Sequence, residues 1–274
     1  MKENKPKLIL CDVDGTLIDS TQSITPAFGK LKELISENNL CFSLASGRSL
    51  ECLQMYADEL EIKSPILINN GAGARADGQI LWDEFFPPLC VKDAVLAADK
   101  LDMAIFMCWG DKETVFRHNA YVQNEIERYH RYNWFYIPLE SEWPSLKLER
   151  VMITDPQRPG RIDEILPYLE PYADEIEIIR YDARHVDVMK KGVSKGGAIR
   201  RLANHLGIEM KDIMAIGDGV NDTEMLSMVG TGVAVGNANE ALKEIADYVC
   251  TGKNTYGVIE AVRKFCADGC SKNY

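Results

Sequence analysis

The sequence predicts an α/β protein whose core is a doubly wound parallel sheet, interrupted by a second, inserted α/β domain. Short apolar runs alternate with segments of helical periodicity near both ends of the 274-residue chain, as in proteins with a parallel sheet. Between these regions, from about residue 81 to residue 184, aromatic and polar residues mix. We therefore expect a core domain at 1–84 and 187–274 and an inserted domain at 85–186.

The first half of the core shows a repeated order of strand and helix. A continuous apolar run before Asp12 is typical of a strand that is buried on both faces of a parallel sheet. Thr25 and Pro26 then give an N-cap followed by proline at the first helical position, and Ser49 caps a second helix. The predicted strands are 8–11, 41–45 and 65–68, and the predicted helices are 26–39 and 49–60.

The inserted region and the second half of the core complete this pattern. Ser194 is a predicted N-cap, and Gly207 stands where the following helix should end. The apolar face of that helix is Ala198, Ile199, Leu202, Ala203 and Leu206. Later core elements are strands at 213–216 and 232–236 and a helix near Glu240. The inserted region should contain helices at 91–101 and 121–131 and an antiparallel sheet of strands 104–108, 114–117, 150–154 and 176–180.

The composition narrows the class of protein. With 46% hydrophobic and 27% charged residues, the chain is typical of soluble globular proteins. A net charge of −11 argues against a nucleic-acid or anionic-membrane binder, since such partners attract basic surfaces. Without a signal-peptide core or a membrane-length apolar stretch, we expect a cytoplasmic protein. The eight scattered cysteines indicate buried, reduced thiols, and the Cys266–Cys270 spacing alone is a weak metal signal.

The segment DVDGTL carries two acids at the end of the first predicted strand. Asp12 and Asp14 are separated by one residue, and Gly15 allows a sharp turn after them. A carboxylate can attack phosphorus and form an aspartyl-phosphate, which divides hydrolysis into two steps. If neighbouring acids raise its pKa, Asp14 can protonate the leaving oxygen and later deprotonate water. On these residues alone, a solvated turn is the alternative.

Two further segments suit an anion. Ser46, Gly47 and Arg48 follow the second predicted strand, where a hydroxyl and backbone N–H groups at the start of a helix can hold phosphoryl oxygens. Lys195 stands in the first turn of a predicted helix, a position unfavourable for a cation unless it neutralises a bound anion. An ordinary N-cap turn and a surface lysine are the respective alternatives.

The segment GDGVND adds oxygen ligands after the strand at 213–216. Its polar residues are Asp218, Asn221 and Asp222. Magnesium prefers a few carboxylates together with phosphate oxygens and water, so Asp218, Asp12 and a backbone carbonyl are sufficient. All four segments lie at strand ends or helix starts, where open α/β sheets bind ligands.

DVDGTL, LASGR, the lysine of GVSKG and GDGVND occur in an order that resembles the haloacid dehalogenase superfamily of phosphatases over the whole chain. The insertion resembles the large α/β (C2, class IIB) cap of the Cof-type branch, on a Rossmann-like core. This resemblance implies a phosphatase in which Asp12 is the nucleophile and Asp14 the general acid and base, while Ser46 and Lys195 bind the phosphoryl group.

The same resemblance implies a metal site and a substrate class. Mg²⁺ would be bound by Asp12, the backbone carbonyl of Asp14 and Asp218. Asn221 would contact phosphate, and Asp222 would lie behind the ligands. The expected substrate is a small phosphorylated metabolite such as a sugar phosphate, and the protein is expected to be a monomer or homodimer.

The sequence leaves alternatives open in both the activity and the inserted domain. A phosphosugar mutase of the same fold returns the phosphoryl group to its substrate, and a catalytically silent regulator would bind phosphosugars without turnover. In the inserted domain, Arg180, Arg184, His185 and the aromatic run 132–136 are candidates to contact the substrate. Their alternatives are a solvated face for the arginines and a packed core for the aromatic residues.

Overall fold

A computed structural model of the chain describes residues 5–129 and 134–266. Its strands are β1 Leu8–Cys11, β2 Phe42–Leu44, β3 Ile66–Ile68, β4 Gly73–Ala76, β5 Gln79–Asp83, β6 Ala104–Trp109, β7 Lys112–Val115, β8 Arg150–Thr154, β9 Ile176–Arg180, β10 His185–Lys190, β11 Ile213–Gly217, β12 Thr231–Ala234 and β13 Tyr248–Val249. Its α-helices are α1 Pro26–Glu37, α2 Leu50–Glu59, α3 Leu89–Lys100, α4 Ala120–Tyr129, α5 Leu166–Leu169, α6 Lys195–Leu206, α7 Thr223–Met228, α8 Glu240–Ile245 and α9 Asn254–Cys266. No helix in the described ranges is long and apolar enough to cross a bilayer.

The chain divides into two compact units. The first takes its described residues from Met1–Arg48, Leu53–Leu81 and Ser194–Tyr274, and the second from Ser49–Cys52 and Trp82–Val193. The second unit therefore continues past residue 186, where the sequence analysis places the return to the core. The physical reason is β10, which pairs with β8 along one edge and with β9 along the other, so it belongs to the sheet of the second unit.

The first unit is built on a parallel sheet of five strands in the order β13-β12-β11-β1-β2. All four residues of β1 are buried, which explains its unbroken apolar sequence. The predicted doubly wound α/β core is therefore confirmed. Within the described residues, the strand predicted at 65–68 is connected to this sheet by a single parallel bridge between Leu67 and Ala45. It pairs with β4 in a separate three-stranded sheet of order β3-β4-β5, which the sequence analysis does not predict.

Local sequence signals explain where helix α6 begins and ends. The Ser194 hydroxyl accepts a hydrogen bond from the Gly197 N–H at 3.0 Å, and Gly207 ends the helix with φ of +66°. Its predicted apolar face is buried except for Leu206, which is 37% exposed. Helix α9 is absent from the sequence analysis, although its buried positions recur with helical spacing.

The second unit contains an antiparallel sheet in the order β7-β6-β8-β10-β9. The four strands predicted for this region are present, and β10 is an additional one. One face of the sheet packs against α3 and α5 in an apolar core that includes Val91, Ile105, Val151 and Val186. Part of the other face packs against α4 through a smaller cluster that includes Phe106 and Val122.

A buried ionic network lies on one face of this second sheet. Arg150 donates through Nη2 to Glu113 Oε2 at 2.5 Å, and its Nη1 lies 3.3 Å from Asp187 Oδ2. The Tyr181 hydroxyl donates to the same Asp187 oxygen at 2.9 Å. None of the three charged side chains is more than 6% exposed. Because ions buried this deeply lose their hydration, each depends on its partners.

Removal of Arg150 should therefore destabilise the second unit strongly. Arg150→Ala leaves the Glu113 and Asp187 carboxylates buried without their cation, and we expect a loss of about 3–5 kcal/mol in the free energy of unfolding. Arg117→Ala is the matched control. Arg117 is paired with Asp99 and is 55% exposed, so its loss should cost less than about 1 kcal/mol.

Tryptophan fluorescence during urea unfolding measures this difference, because all four tryptophans of the chain lie between residues 82 and 143, inside the second unit. Equal losses in the free energy of unfolding for the two arginine variants would show that burial of the network does not determine how much it contributes to stability.

Candidate active site

The residues predicted for catalysis and binding lie together at one edge of the parallel sheet. Strands β11, β1 and β2 are neighbours, and they end just before Asp218, Asp12 and the Ala45–Ser46 pair. The register continues past the strand ends, since the Asp12 N–H donates to Ile216 O and the Ala45 N–H donates to Cys11 O, both at 2.9 Å. Three segments distant in sequence are thereby held side by side at the carboxyl edge of the sheet.

Lys195 contributes a buried cation to this edge. Its side chain is 0% exposed, and its ammonium donates to Asp12 Oδ1 at 2.5 Å and to Asp222 Oδ1 at 2.7 Å. Asp222 is also fully buried, and its other oxygen accepts from the backbone N–H groups of Asp218 and Gly219 at 3.0 and 2.9 Å. The surface-lysine alternative is therefore wrong, because this ammonium is removed from water and held between two carboxylates.

Three acids form a cluster suited to a cation. Asp12, Asp218 and Asp222 each offer a carboxylate oxygen, and these oxygens all lie within 4.8 Å of one another. The Thr16 hydroxyl donates to Asp218 Oδ1 at 2.7 Å and orients that side chain. Lys195 neutralises one of three negative charges, so the cluster fits a hard divalent cation with oxygen ligands. Asp222 belongs to the same cluster, and both of its oxygens also accept hydrogen bonds, from Lys195 and from the backbone of residues 218 and 219.

Two motif glycines are required by the close packing of these acids. Gly15 has φ of +83°, and a Cβ there would lie 2.2 Å from Asp218 Oδ2. A Cβ on Gly217 would lie 2.6 Å from the Asp222 Cβ. Any side chain at either position would collide with an acid of the cluster, which explains the glycine in DVDG and the one before Asp218.

The crowding of charges shifts the acid equilibria. Burial, followed by the charge of Asp222, raises the pKa of Asp12 well above its usual range. Burial also raises the pKa of Asp218 to about 6. For Lys195, burial opposes the charged form, but the Asp12 and Asp222 carboxylates outweigh it and raise the pKa of the ammonium. The site therefore holds more negative charge than its one lysine can balance.

Asp14 has a different environment from the other acids. Its carboxylate forms a two-point ion pair with Arg48, whose Nε donates to Asp14 Oδ2 at 2.6 Å and whose Nη2 donates to Oδ1. The Asp14 side chain is 52% exposed. Crowding by other acids, which the sequence analysis expects at Asp14, is present at Asp12 and Asp218.

Ser46 and Asn221 are linked through Asn70, a residue that the sequence analysis does not assign to the site. Ser46 is buried, and its hydroxyl accepts from the Arg48 N–H at 3.2 Å. The Asn70 N–H donates to Ser46 O at 2.9 Å, while Asn70 Oδ1 accepts from Asn221 Nδ2 at 3.0 Å. A Cβ on Gly47 would lie 3.2 Å from the same Asn70 amide. Asn70 therefore joins two of the predicted motifs.

Several polar residues around the site lie outside the four motif assignments. They act on the motif backbone or on its acids rather than carrying a charge themselves. These residues are Thr16, Asn70, Asn237, Asn254 and Thr255. The only available sequence signals are Thr16 beside the acids and an Asn–Gly pair at 70–71, which is typical of turns. Nothing in the periodicity around Asn237 or Asn254 indicates that either contacts the DVDGTL loop.

The second-unit candidates have partners within that unit. Arg180 pairs with Asp163 at 2.6 Å, and His185 Nδ1 lies 2.8 Å from Asp182 Oδ1. Arg184 donates to Pro156 O at 3.3 Å. In the aromatic run, Trp134 and Phe135 are 70% and 63% exposed, so the packed-core alternative is wrong for these two, while residues 132–133 lie outside the described ranges. Their contact with substrate stays a prediction.

Comparison with known proteins places this site in a family. Residues 9–262 match the sequence profile of haloacid dehalogenase-like hydrolases. The chain is 28% identical over 258 residues to the 5-amino-6-(5-phospho-D-ribitylamino)uracil phosphatase YcsE of Bacillus subtilis (strain 168), with 94% of each chain covered. It is 23% identical to YitU, a second 5-amino-6-(5-phospho-D-ribitylamino)uracil phosphatase of Bacillus subtilis (strain 168), with 96% of this chain and 98% of YitU covered.

Solved structures agree with the sequence match. A haloacid dehalogenase-like hydrolase from Bacteroides thetaiotaomicron superposes with a TM-score of 0.80 at 25% identity, over 95% of this chain and 99% of the other. A subclass IIB sugar phosphatase of the superfamily gives a TM-score of 0.77 at 25% identity, over 94% and 98%. With the motif acids and the buried lysine in place, the chain belongs to the haloacid dehalogenase-like hydrolases and is a phosphatase of that family.

Proposed function

We propose that this phosphatase is Mg²⁺-dependent and hydrolyses small phosphate monoesters through a phosphorylated Asp12. The observation that carries the proposal is the buried Lys195 ammonium, which holds Asp12 at 2.5 Å inside a cluster of three carboxylates. A lysine in the first turn of a helix is unfavourable unless anions surround it, and here it has two. The same ammonium is suited to hold the oxygens of a transferring phosphoryl group.

Asp12 and Asp14 divide the chemistry between them. A carboxylate oxygen of Asp12 attacks phosphorus, and the bond to the leaving oxygen breaks while Asp14 gives that oxygen its proton. Asp14 then takes a proton from water, which attacks the phosphorus of the aspartyl-phosphate and regenerates Asp12 with release of inorganic phosphate. The half-exposed position of Asp14 suits proton exchange in both steps, and Arg48 fixes the direction of its carboxylate.

Ser46 and Lys195 are proposed to hold the phosphoryl oxygens during both steps. Ser46 follows β2, the strand that pairs with β1 just before Asp12, and the backbone N–H groups of Gly47 and Arg48 come next in the chain. Asn221 is tied to this segment through Asn70. Donors in these segments would stabilise the negative charge that develops on the phosphoryl oxygens.

The acid cluster is the proposed magnesium site. Asp12, Asp218 and the backbone carbonyl of Asp14 would hold the ion, with Asp222 in the same oxygen cluster. Magnesium would neutralise charge on the phosphoryl oxygens. The support from this chain is its charge count, because three carboxylates face one ammonium among residues that are mostly buried.

The proposed substrates are sugar phosphates or similar polyol phosphates. YcsE is named for a ribityl phosphate, and one of the matching structures is a sugar phosphatase. The inserted unit at 82–193 is proposed to act as the cap that selects among these esters, because the insertion resembles the cap domain of the Cof-type branch. We would exchange residues 82–193, the inserted part of the second compact unit, in specificity experiments.

Asp12→Asn tests the nucleophile. The amide cannot form the aspartyl-phosphate, so phosphate release from p-nitrophenyl phosphate with Mg²⁺ should fall to background, and acid-quenched wild type should carry a phosphoryl group that the variant lacks. Asp58→Asn, an exposed acid on α2, is the matched control and should retain wild-type turnover. Activity that survives in Asp12→Asn would exclude the mechanism.

With hexose phosphates, ³¹P NMR should show free phosphate rather than an isomer, which separates hydrolysis from the mutase alternative.

The metal site predicts a pH-dependent stability in EDTA. The pKa of Asp218 is about 6 in the fold and near ~3.9 when unfolded, so the protonated form favours folding. This contribution is complete below about pH 4 and is lost as the pH rises through about 6. Asp218→Asn should therefore melt higher than wild type in EDTA at pH 8, whereas the two proteins should melt alike at pH 4.

Magnesium should reverse the order at pH 8. Excess Mg²⁺ binds the folded wild type and should raise its melting temperature more than that of Asp218→Asn. Asp58→Asn should follow wild type in every condition. If Asp218→Asn melts below wild type at pH 8 in EDTA, the carboxylate is not under electrostatic stress and the proposed metal site loses its support.

A further inference from the structure

The DVDGTL loop is held partly by hydrogen bonds within the turn and partly by side chains from distant segments. Within the loop, the Gly15 N–H donates to Ile18 O, and the Leu17 and Ile18 N–H groups both donate to Val13 O, all at 2.9 Å. The carbonyls of Gly15 and Leu17 accept hydrogen bonds from side chains more than 200 residues away. These donors follow strands β12 and β13.

Two asparagines converge on the Gly15 carbonyl. Asn237 Nδ2 and Asn254 Nδ2 each donate to Gly15 O at 2.7 Å, and Asn254 Nδ2 also donates to Ile18 O at 3.1 Å. The two asparagines are joined, since the Asn254 N–H donates to Asn237 Oδ1 at 2.9 Å. The Gly15 carbonyl oxygen of the DVDGTL loop thus accepts two hydrogen bonds, one for each of its lone pairs.

The next residue of α9 holds a second carbonyl. Thr255 is 5% exposed, and its hydroxyl donates to Leu17 O at 2.6 Å. Asn254 itself has φ of +49°, a left-handed conformation that asparagine tolerates better than most residues. The backbone at the start of α9 is therefore bent so that consecutive side chains reach the same loop. We name Asn237, Asn254 and Thr255 the loop clamp.

Gly15 is the residue through which the loop clamp can affect chemistry. It follows Asp14 directly, and it passes so close to Asp218 that no side chain fits between them. A shift of the Gly15 carbonyl would move the Gly15 Cα and, through it, the preceding peptide, which begins at Asp14, whereas Asp12 is held separately by the parallel sheet and by Lys195. The clamp should consequently matter more for proton donation by Asp14 than for nucleophilic attack.

We propose that Asn254, supported by Asn237 and Thr255, is a positioning residue that sets Asp14 for protonation of the leaving oxygen. The inference rests on the proposed function for the role of Asp14. Misplacement of a catalytic group by about 1 Å can cost on the order of 10²-fold in rate. A residue that only stabilised the fold would instead affect all substrates equally.

Asn254→Gly is the variant that separates these roles. Glycine adopts a φ of +49° without strain, so the substitution removes the amide and keeps the backbone. Asn254→Asp is a second variant that keeps the shape and replaces the donor by an acceptor facing two carbonyls. Asn38→Gly is the matched control, because Asn38 at the end of α1 also donates its Nδ2 to a carbonyl, Leu34 O at 2.9 Å, away from the site.

The measurement compares kcat/KM for phenyl phosphate and p-nitrophenyl phosphate with Mg²⁺. The two esters have similar shapes, but phenolate is the more basic leaving group and needs more protonation in the transition state. Both Asn254 variants should lose roughly 10- to 100-fold on phenyl phosphate and at least about threefold less on p-nitrophenyl phosphate. Asn38→Gly should keep the wild-type ratio of the two values. Equal losses on both esters in the Asn254 variants overturn the proposal.

Amide hydrogen exchange keeps this inference separable from the proposed function. If wild type cleaves neither ester, the phosphatase mechanism fails, and the loop clamp is judged by exchange of the peptide that spans residues 12–18. Faster exchange of that peptide in Asn254→Gly than in wild type and Asn38→Gly supports the clamp. Exchange that matches wild type overturns it.

Discussion

The ion pairs of the buried Lys195 ammonium with Asp12 and Asp222 are the interaction on which the site depends. An ammonium that is fully removed from water is stable only with well-placed anions, so these two carboxylates must arrive from separate segments at fixed positions. Asp12 is placed by β1, Asp222 by the turn after β11, and Lys195 by the start of α6. Parallel strands β1 and β11 lie side by side, which makes this meeting a consequence of sheet order.

The same charges explain why the site is compact and why it suits a cation and a phosphoryl group. Three acids within 4.8 Å of one another repel, and one lysine leaves an excess of negative charge. Thr16 and the backbone N–H groups of residues 218 and 219 offset part of this repulsion by donating to the acids. Glycine at positions 15 and 217 gives the acids the space that any Cβ would occupy. The charges of the acids and the space that they occupy therefore both limit which residues can stand at these motif positions.

The sequence predicts those features that follow from local chemistry. Strand β1 and helix α6 have unambiguous patterns, and the acids at strand ends point to one edge of the sheet before the structure is known. Asn70 and Asn254 could not be predicted in the same way, because their partners are backbone groups of distant segments and such hydrogen bonds leave no period in the sequence. The sequence analysis assigns residues from 187 onward to the core, whereas β10 pairs with β8 and β9 of the second unit, because only strand pairing shows to which sheet a strand belongs.

A tight loop that presents an acid has a structural requirement of its own. Some of its N–H groups bond inside the turn, but the carbonyls of Gly15 and Leu17 accept from side chains outside it. Water would satisfy them without fixing their direction, whereas Asn254 and Thr255 do both because they stand on the first residues of a 13-residue helix packed against α1. Helix α9 thus helps to keep the DVDGTL loop rigid, and a segment with no catalytic group contributes to the geometry of catalysis.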